Sequence, residues 1–136
     1  MVRRYLLDAS TLYPLVLKLG EGLIRYSNRF AVLDITIYEV GNTIWKEFRR
    51  GRIKNVGIVC KLFEEIFNVV HILRPQMPLD KVVELAVSEN LTLYDAVHLY
   101  VARAHGIKLV TEDSDLQRFS EAINTDQLLK ELQAVG

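Results

Sequence analysis

Five carboxylates in this 136-residue chain stand where chemistry can use them. Asp8 directly follows the apolar run Tyr5-Leu6-Leu7. Glu39 comes three residues after Thr36, at the opening of a helical segment. Asp95 holds the same place relative to Thr92. Asp113 follows the strand-like run Ile107 to Thr111, with Asp115 two residues on. Two unit charges about 4 Å apart repel by roughly 4 kcal/mol at an effective dielectric of 20. Carboxylates gathered on one rim therefore need protons or cations to offset that cost. An all-oxygen donor set without nearby Cys or His favours Mg²⁺ or Mn²⁺. Mg²⁺ held by a few carboxylates keeps several waters and suits phosphate substrates. Paired ions about 3.5–4 Å apart can activate a water and stabilise the leaving oxygen in phosphodiester cleavage.

Each acid also has a structural explanation. Asp and Glu are favoured in the first turn of any helix by its macrodipole. Glu39 completes a capping box with Thr36, and Asp95 can do so with Thr92. Asp113 can cap a helix starting at Ser114. Asp8 is harder to explain this way, because Ser10 is already placed to cap the helix that follows. The two readings are compatible, since a first-turn acid can cap a helix and hold a ligand as well.

These acids converge only if the right elements carry them. The pattern predicts a buried strand at Tyr5–Leu7, then a helix capped by Ser10 that turns Leu12, Leu15, Val16 and Leu19 inward and stops at Gly20. A short helix is expected over 22–27 and a strand over 31–35. Thr36 then opens a helix with Ile37, Val40, Gly41, Ile44, Trp45 and Phe48 on its inner face, closed by Gly51. A helix over 53–67, a strand over 69–73 and a helix over 79–89 follow. Thr92 caps the next helix, whose inner face is Ala96, Val97, Tyr100, Val101 and Ala104, ending at Gly106. A strand over 107–111, a short helix over 114–119, an edge strand over 121–124 and a terminal helix from Thr125 or Asp126 complete the chain. Alternating strands and helices with nonalternating, buried strands predict a three-layer α/β/α fold around a central parallel sheet of four to five strands. The length fits a single domain spanning 1–136. Ligands of such sheets gather beyond the carboxyl ends of the strands.

Bulk composition excludes several classes. The 17 Lys and Arg balance 17 Asp and Glu, so a polybasic nucleic-acid binder is ruled out and any such contact needs a local patch. One cysteine, Cys60, excludes an intrachain disulfide and points to the cytoplasm. No secretory signal is visible, and no apolar run approaches the ~18–20 residues that span a bilayer, so no membrane role is expected. No Ser–His–Asp or Cys–His set is placed for nucleophilic catalysis. Cys60 reads as a packed thiol, His98 as a neutral surface or groove histidine, and Trp45 as core or interface.

Taken together, Y-L-L-D-A-S at 5–10, Y-E at 38–39, L-Y-D-A-V at 93–97 and L-V-T-E-D-S-D at 109–115 resemble the PIN domain. More narrowly, the ordered set resembles the VapC-type toxins of prokaryotic toxin–antitoxin pairs, from Arg4 to the final helix. The resemblance implies a PIN-like fold and a Mg²⁺- or Mn²⁺-dependent ribonuclease, an endonuclease using one or two ions. By matched position, Asp8, Glu39, Asp95 and Asp113 would form its acidic quartet, with Asp115 matching a more variable acid. Ser10 and Thr111 match polar positions that orient ligands or waters. Glu112 is an acid the family does not require, and reads as facing solvent. Either Glu39 or Asp95 would accept the proton of the attacking water. The RNA contact would fall to Lys46, Arg49, Arg50, Arg52 and Lys54, cations that equally complement a helix C-terminus. The resemblance further implies a small VapB-like antitoxin covering the acidic groove, and a homodimer. Two alternatives stay open: a PIN nuclease of RNA maturation without an antitoxin, and a noncatalytic RNA- or protein-binding scaffold.

Overall fold

In the computed structural model, which describes residues 4–135, the run Tyr5–Leu7 forms β1, and all three residues are buried. Successive side chains of a strand point to opposite faces, so β1 must be covered on both sides. The same holds for β2 (Phe30–Leu33), which is buried throughout. β3 (His71–Leu73), β4 (Lys108–Val110) and β5 (Ala122–Ile123) complete the sheet. Its order is β3-β2-β1-β4-β5, and every pair is parallel. The chain thus builds outward from β1 through β2 to β3, then returns to lay β4 on the other side of β1. Where that direction reverses, the helices leaving β1 and β4 diverge and open a crevice at the carboxyl ends.

Helices cover both faces. α1 (Ala9–Leu19), α2 (Asp34–Arg49), α3 (Val56–Val69) and α7 (Thr125–Val135) lie on one. There Leu12, Val40, Phe63 and Leu128 pack with Tyr5, Leu7, Phe30 and Val32. α4 (Leu79–Glu89), α5 (Leu93–His105) and the short α6 (Ser114–Gln117) lie on the other, where Val82, Leu99 and Leu116 meet Leu6, Ala31, Leu33 and Leu109. Leu6 and Leu7, adjacent in sequence, serve opposite cores. A 3₁₀ helix (Gly20–Arg29) joins α1 to β2. The three layers and the parallel sheet agree with the sequence expectation. So do the expected ends of α4, the Thr92 cap of α5, and its termination at Gly106, whose φ of 63° suits a residue without a side chain.

Several local expectations fail for physical reasons. First, α1 is capped by Asp8 and not by Ser10. Second, β2 stops at Leu33 and α2 begins at Asp34, two residues before Thr36. Ile35 is apolar in either conformation and packs on the second core from the helix's first turn, so periodicity could not separate strand end from helix start. Thr36 therefore lies inside α2, its hydroxyl buried without a partner, and the Thr36–Glu39 capping box does not form. Third, Gly41, Trp45 and Phe48 are exposed. Thr36, Val40 and Ile44 suffice to seat α2 on the sheet, which leaves that flank bare. On α5 the buried band is wider than expected, taking in His98, Leu99 and Ala102, while Ala104 faces out. The third helix also starts later than expected, at Val56, because Asn55 caps it by accepting the Ile58 N–H.

The stranded Thr36 hydroxyl can be tested. A buried hydroxyl without a partner costs about 1–3 kcal/mol, and valine has nearly the same shape. Thr36→Val should raise the urea midpoint by an amount equivalent to about 1 kcal/mol. A lowered midpoint would restore the capping role.

Candidate active site

β1 delivers Asp8 to the crevice at the switch point. Its N–H donates to the Val110 carbonyl of β4 (3.2 Å), and the residue is only 7% exposed. Asp8 Oδ1 accepts the Thr11 N–H at 3.2 Å, closing the first turn of α1. The same oxygen accepts the Ser10 hydroxyl at 2.6 Å. Ser10 is thus a strut and not a cap. Its oxygen accepts the Glu112 N–H at 3.0 Å and lies 3.5 Å from Thr111 Oγ1. Since Ser10 commits its proton to Asp8, Thr111 must be the donor in that longer contact. The buried Thr111 hydroxyl also accepts the Asp113 N–H at 3.0 Å. A chain of small polar groups therefore fixes Asp8 to the β4 end of the crevice.

Asp113 caps α6 by accepting the Asp115 N–H at 2.8 Å. Asp115 itself is exposed on that turn. Glu112 does not simply face solvent: its Oε2 accepts both the N–H (2.8 Å) and the hydroxyl (2.7 Å) of Thr125, tying down the start of α7.

The remaining two acids come from opposite layers. Glu39 is in the second turn of α2, half-buried and freed from the capping that the sequence suggested. Its Oε1 is buried and has no hydrogen-bond partner. Asp95 sits in the first turn of α5, its N–H held by Thr92 Oγ1 at 3.2 Å. Burial pushes the Glu39 carboxyl above its ordinary proton affinity. A charged His98 opposes that, while the charges of Asp8 and Asp95 add to it. The Asp95 carboxyl is raised likewise, by burial first, then by Asp113 and, less, by Asp8, again against His98. Asp8, Glu39, Asp95 and Asp113 therefore share one electrostatic neighbourhood.

His98 is the residue that sequence reasoning underrated. It is 2% exposed, with Nδ1 2.8 Å from the Tyr94 carbonyl. A carbonyl only accepts, so Nδ1 carries the proton and the neutral ring offers Nε2 as an acceptor. That atom is buried and unpartnered, like Glu39 Oε1. Its position one helical turn after Asp95 was the available signal.

The basic cluster splits. Arg50 and Arg52 both pair with Glu47, at 3.3 and 3.2 Å. Among the described residues Lys46, Arg49 and Lys54 form no ion pair. Two open hollows, of about 440 and 390 Å³, meet at Glu39 and Asn42. One reaches to Ser10 and Tyr13 beside α1, the other to Tyr38 and Tyr94. Among the described residues, no three His, Cys, Asp or Glu side chains are close enough to hold one metal ion together.

Comparison with known proteins agrees with this architecture. A family model described as the PIN domain matches residues 5–122. The chain is 38% identical over 131 residues, 96% of each protein, to one from Pyrobaculum aerophilum named Exonuclease VapC9. It is 30% identical over 108 residues, 78% of this chain and 82% of the other, to Ribonuclease VapC3 of the same organism. The crystal structure of PAE2754 from Pyrobaculum aerophilum superposes with a TM-score of 0.89 at 38% identity, covering 98% of this chain and 99% of that one. A toxin–antitoxin complex from Klebsiella pneumoniae contains a chain of the same fold, with a TM-score of 0.59 at 19% identity over 88% of this chain and 95% of its own. By the reach of the family model and the identity to these relatives, the chain belongs to the PIN-domain family, among its VapC-type members.

Proposed function

We propose that the chain works as a single-domain VapC-type ribonuclease, hydrolysing RNA phosphodiester bonds with the help of a divalent cation. The observation that carries this reading is Glu39. A buried carboxylate oxygen without a partner, beside the charges of Asp8 and Asp95, is costly unless something positive meets it. Nothing in the fold needs Glu39 there, since α2 is not capped by it. The curated relatives named as an exonuclease and a ribonuclease support nuclease chemistry.

The donor set fits Mg²⁺ or Mn²⁺. It consists of oxygens, and Asp8 and Asp113 each spend Oδ1 on a helix cap, leaving their second oxygens for a ligand. Asp8, Glu39, Asp95 and Asp113 would hold one or two ions, with Asp115 at the margin. A bound cation would supply an activated water and offset charge on the phosphodiester. The chain's own groups do the rest. Ser10 and Thr111 hold Asp8 and the Asp113 backbone in place. Glu39 and Asp95, whose proton affinities are raised, are suited to take the proton of the attacking water. Lys46, Arg49 and Lys54 remain available to phosphates, while Glu47 offsets Arg50 and Arg52. A small VapB-like antitoxin over the acidic groove, a homodimer and a cytoplasmic location belong to the same proposal. Among the described residues no helix is long and apolar enough to cross a membrane.

Asp8→Asn should lower metal-dependent cleavage of RNA by more than about 100-fold, since even residues supporting a metal ligand commonly matter by 10–100-fold. Undiminished cleavage would remove Asp8 from the site. A circular single-stranded RNA separates the endonuclease proposed here from the end-directed activity that one relative's name carries: an endonuclease opens the circle.

The burial of Asp95, with the carboxylate repulsion added to it, makes a second prediction, independent of activity. Asp95 binds its proton more tightly in the folded chain than in the unfolded one, so ionising it costs stability: the cost builds as the pH rises above the ordinary 3.8 and is complete above the raised value. That cost fades as the pH falls through the raised value towards the ordinary 3.8. Asp95→Asn should therefore raise the melting temperature in EDTA at pH 7 and bring no such gain below the ordinary value. Mn²⁺ should stabilise the native chain more than the variant. Equal stabilisation of both by Mn²⁺ would count against Asp95 as a ligand.

A further inference from the structure

Asp113 reaches the crevice as the cap of α6, a helix of only four residues. So short a helix cannot hold itself, because fixing its first turn costs more than its few hydrogen bonds return. Asp113 spends Oδ1 on the Asp115 N–H, so the direction of its second oxygen depends on what fixes that turn from outside. Leu116 seats the turn on the second core. Gln117 Nε2 donates to the Thr111 carbonyl at 3.1 Å and draws the turn back towards β4.

Arg118 supplies a hold from another direction. Its Nε donates to the Asp115 carbonyl at 2.9 Å. Its terminal nitrogens reach Glu89, the last residue of α4. Nη1 meets the carboxylate Oε2 at 3.2 Å, and Nη2 donates to the backbone carbonyl. The final carbonyls of a helix lack amide partners and favour a cation. The guanidinium also lies over the Phe119 ring, 4.3 Å from its centroid, while Arg103 approaches the same ring at 5.6 Å and pairs with Glu121 at 2.6 Å. The planar fork thus joins a carbonyl of α6 to a carbonyl of α4, with an aromatic ring setting its plane. An exposed ion pair alone adds little stability. The Arg118 side chain is 46% exposed, and what it adds is fixed geometry between two elements.

We infer that Arg118 is a positioning residue for the acidic site: it clamps the turn that carries Asp113 to the end of α4, and so sets where the second Asp113 oxygen points. This role rests on the cation-assisted ribonuclease reading and gives that site a residue outside its ring of acids. Ser10 and Thr111 fix the strand side of the Asp113 loop through the Glu112 and Asp113 N–H groups. Arg118 fixes the helical side. A lysine would keep the charge near Glu89 but could not hold both carbonyls in one plane.

The test is Mn²⁺ titration followed by electron paramagnetic resonance, beside amide hydrogen exchange in EDTA and cleavage kinetics. Arg118→Met should weaken Mn²⁺ binding about 10-fold, the lower end of the range for residues that support a metal ligand. It should lower kcat and leave KM for RNA little changed. In EDTA the Asp115, Leu116 and Gln117 amides should exchange faster while those of β1 and β4 keep their protection, which separates release of the turn from general loss of stability. Arg118→Lys should behave like Arg118→Met; native affinity in the lysine variant would reduce the clamp to a charge and overturn the inference. In an Asp113→Asn background, where asparagine still caps α6, Arg118→Met should weaken Mn²⁺ binding by no more than about 2-fold further. An undiminished loss there would show that Arg118 does not act through Asp113, and would overturn the inference. If the native chain binds Mn²⁺ and cleaves RNA while Arg118→Met does both equally well, the clamp is wrong and the ribonuclease reading stands. If the native chain neither binds Mn²⁺ nor cleaves RNA, both fail.

Discussion

Asp8 accepts the Thr11 N–H, one of the free donors in the first turn of α1, while its own N–H bonds to the end of β4. One residue thus ends the central strand, starts the first helix and joins the two strands that flank the switch point. Its charge cannot escape to solvent, because the fold needs its backbone and Oδ1 where they are. Ser10 and Thr111 extend the same constraint across the crevice, so the β4 loop carrying Asp113 is registered against the β1 end by hydrogen bonds and not by packing alone. The other acids arrive in a frame that Asp8 has already set.

That frame is electrostatically tense. Glu39 and Asp95 come from opposite layers and are partly withdrawn from water before they meet each other and Asp8. Both respond by holding protons more tightly. His98 is the one nearby group whose positive form relieves them, and its Nε2 is left without a partner. A fold selected for stability alone would replace one of these acids. Retaining them fits the trade between stability and activity that the proposed cation-assisted nuclease would require.

α2 shows how one helix divides its faces. Thr36, Val40 and Ile44 seat it on the sheet. Glu39 turns to the crevice. Tyr38 and Trp45 face outward, rings that a globular core would ordinarily claim. Zero net charge conceals this arrangement, because acids in the crevice and cations along α2 cancel in the sum while acting in different places.

The order of elements, the parallel three-layer fold and the positions of the acids at strand and helix ends were legible in the sequence. Buried parallel strands read as short apolar runs, helices as periodic ones, and Thr92 and Gly106 mark their boundaries by local hydrogen bonding and φ preference. Those signals act within a few residues. The start of α2 was not legible, since Ile35 satisfies strand and helix patterns equally, and with it went the supposed capping of Glu39. Nor was the exchange of roles between Asp8 and Ser10, since either residue type can cap. The paired hydroxyls of Ser10 and Thr111, the burial of His98, the neutralisation of Arg50 and Arg52 by Glu47, and the exposure of Trp45 were decided by tertiary structure. Each depends on which groups from distant parts of the chain come within a few ångströms. Hydrogen bonding, desolvation and charge repulsion fall off over those same few ångströms, so spacing along the chain could nominate the residues but could not say what they face.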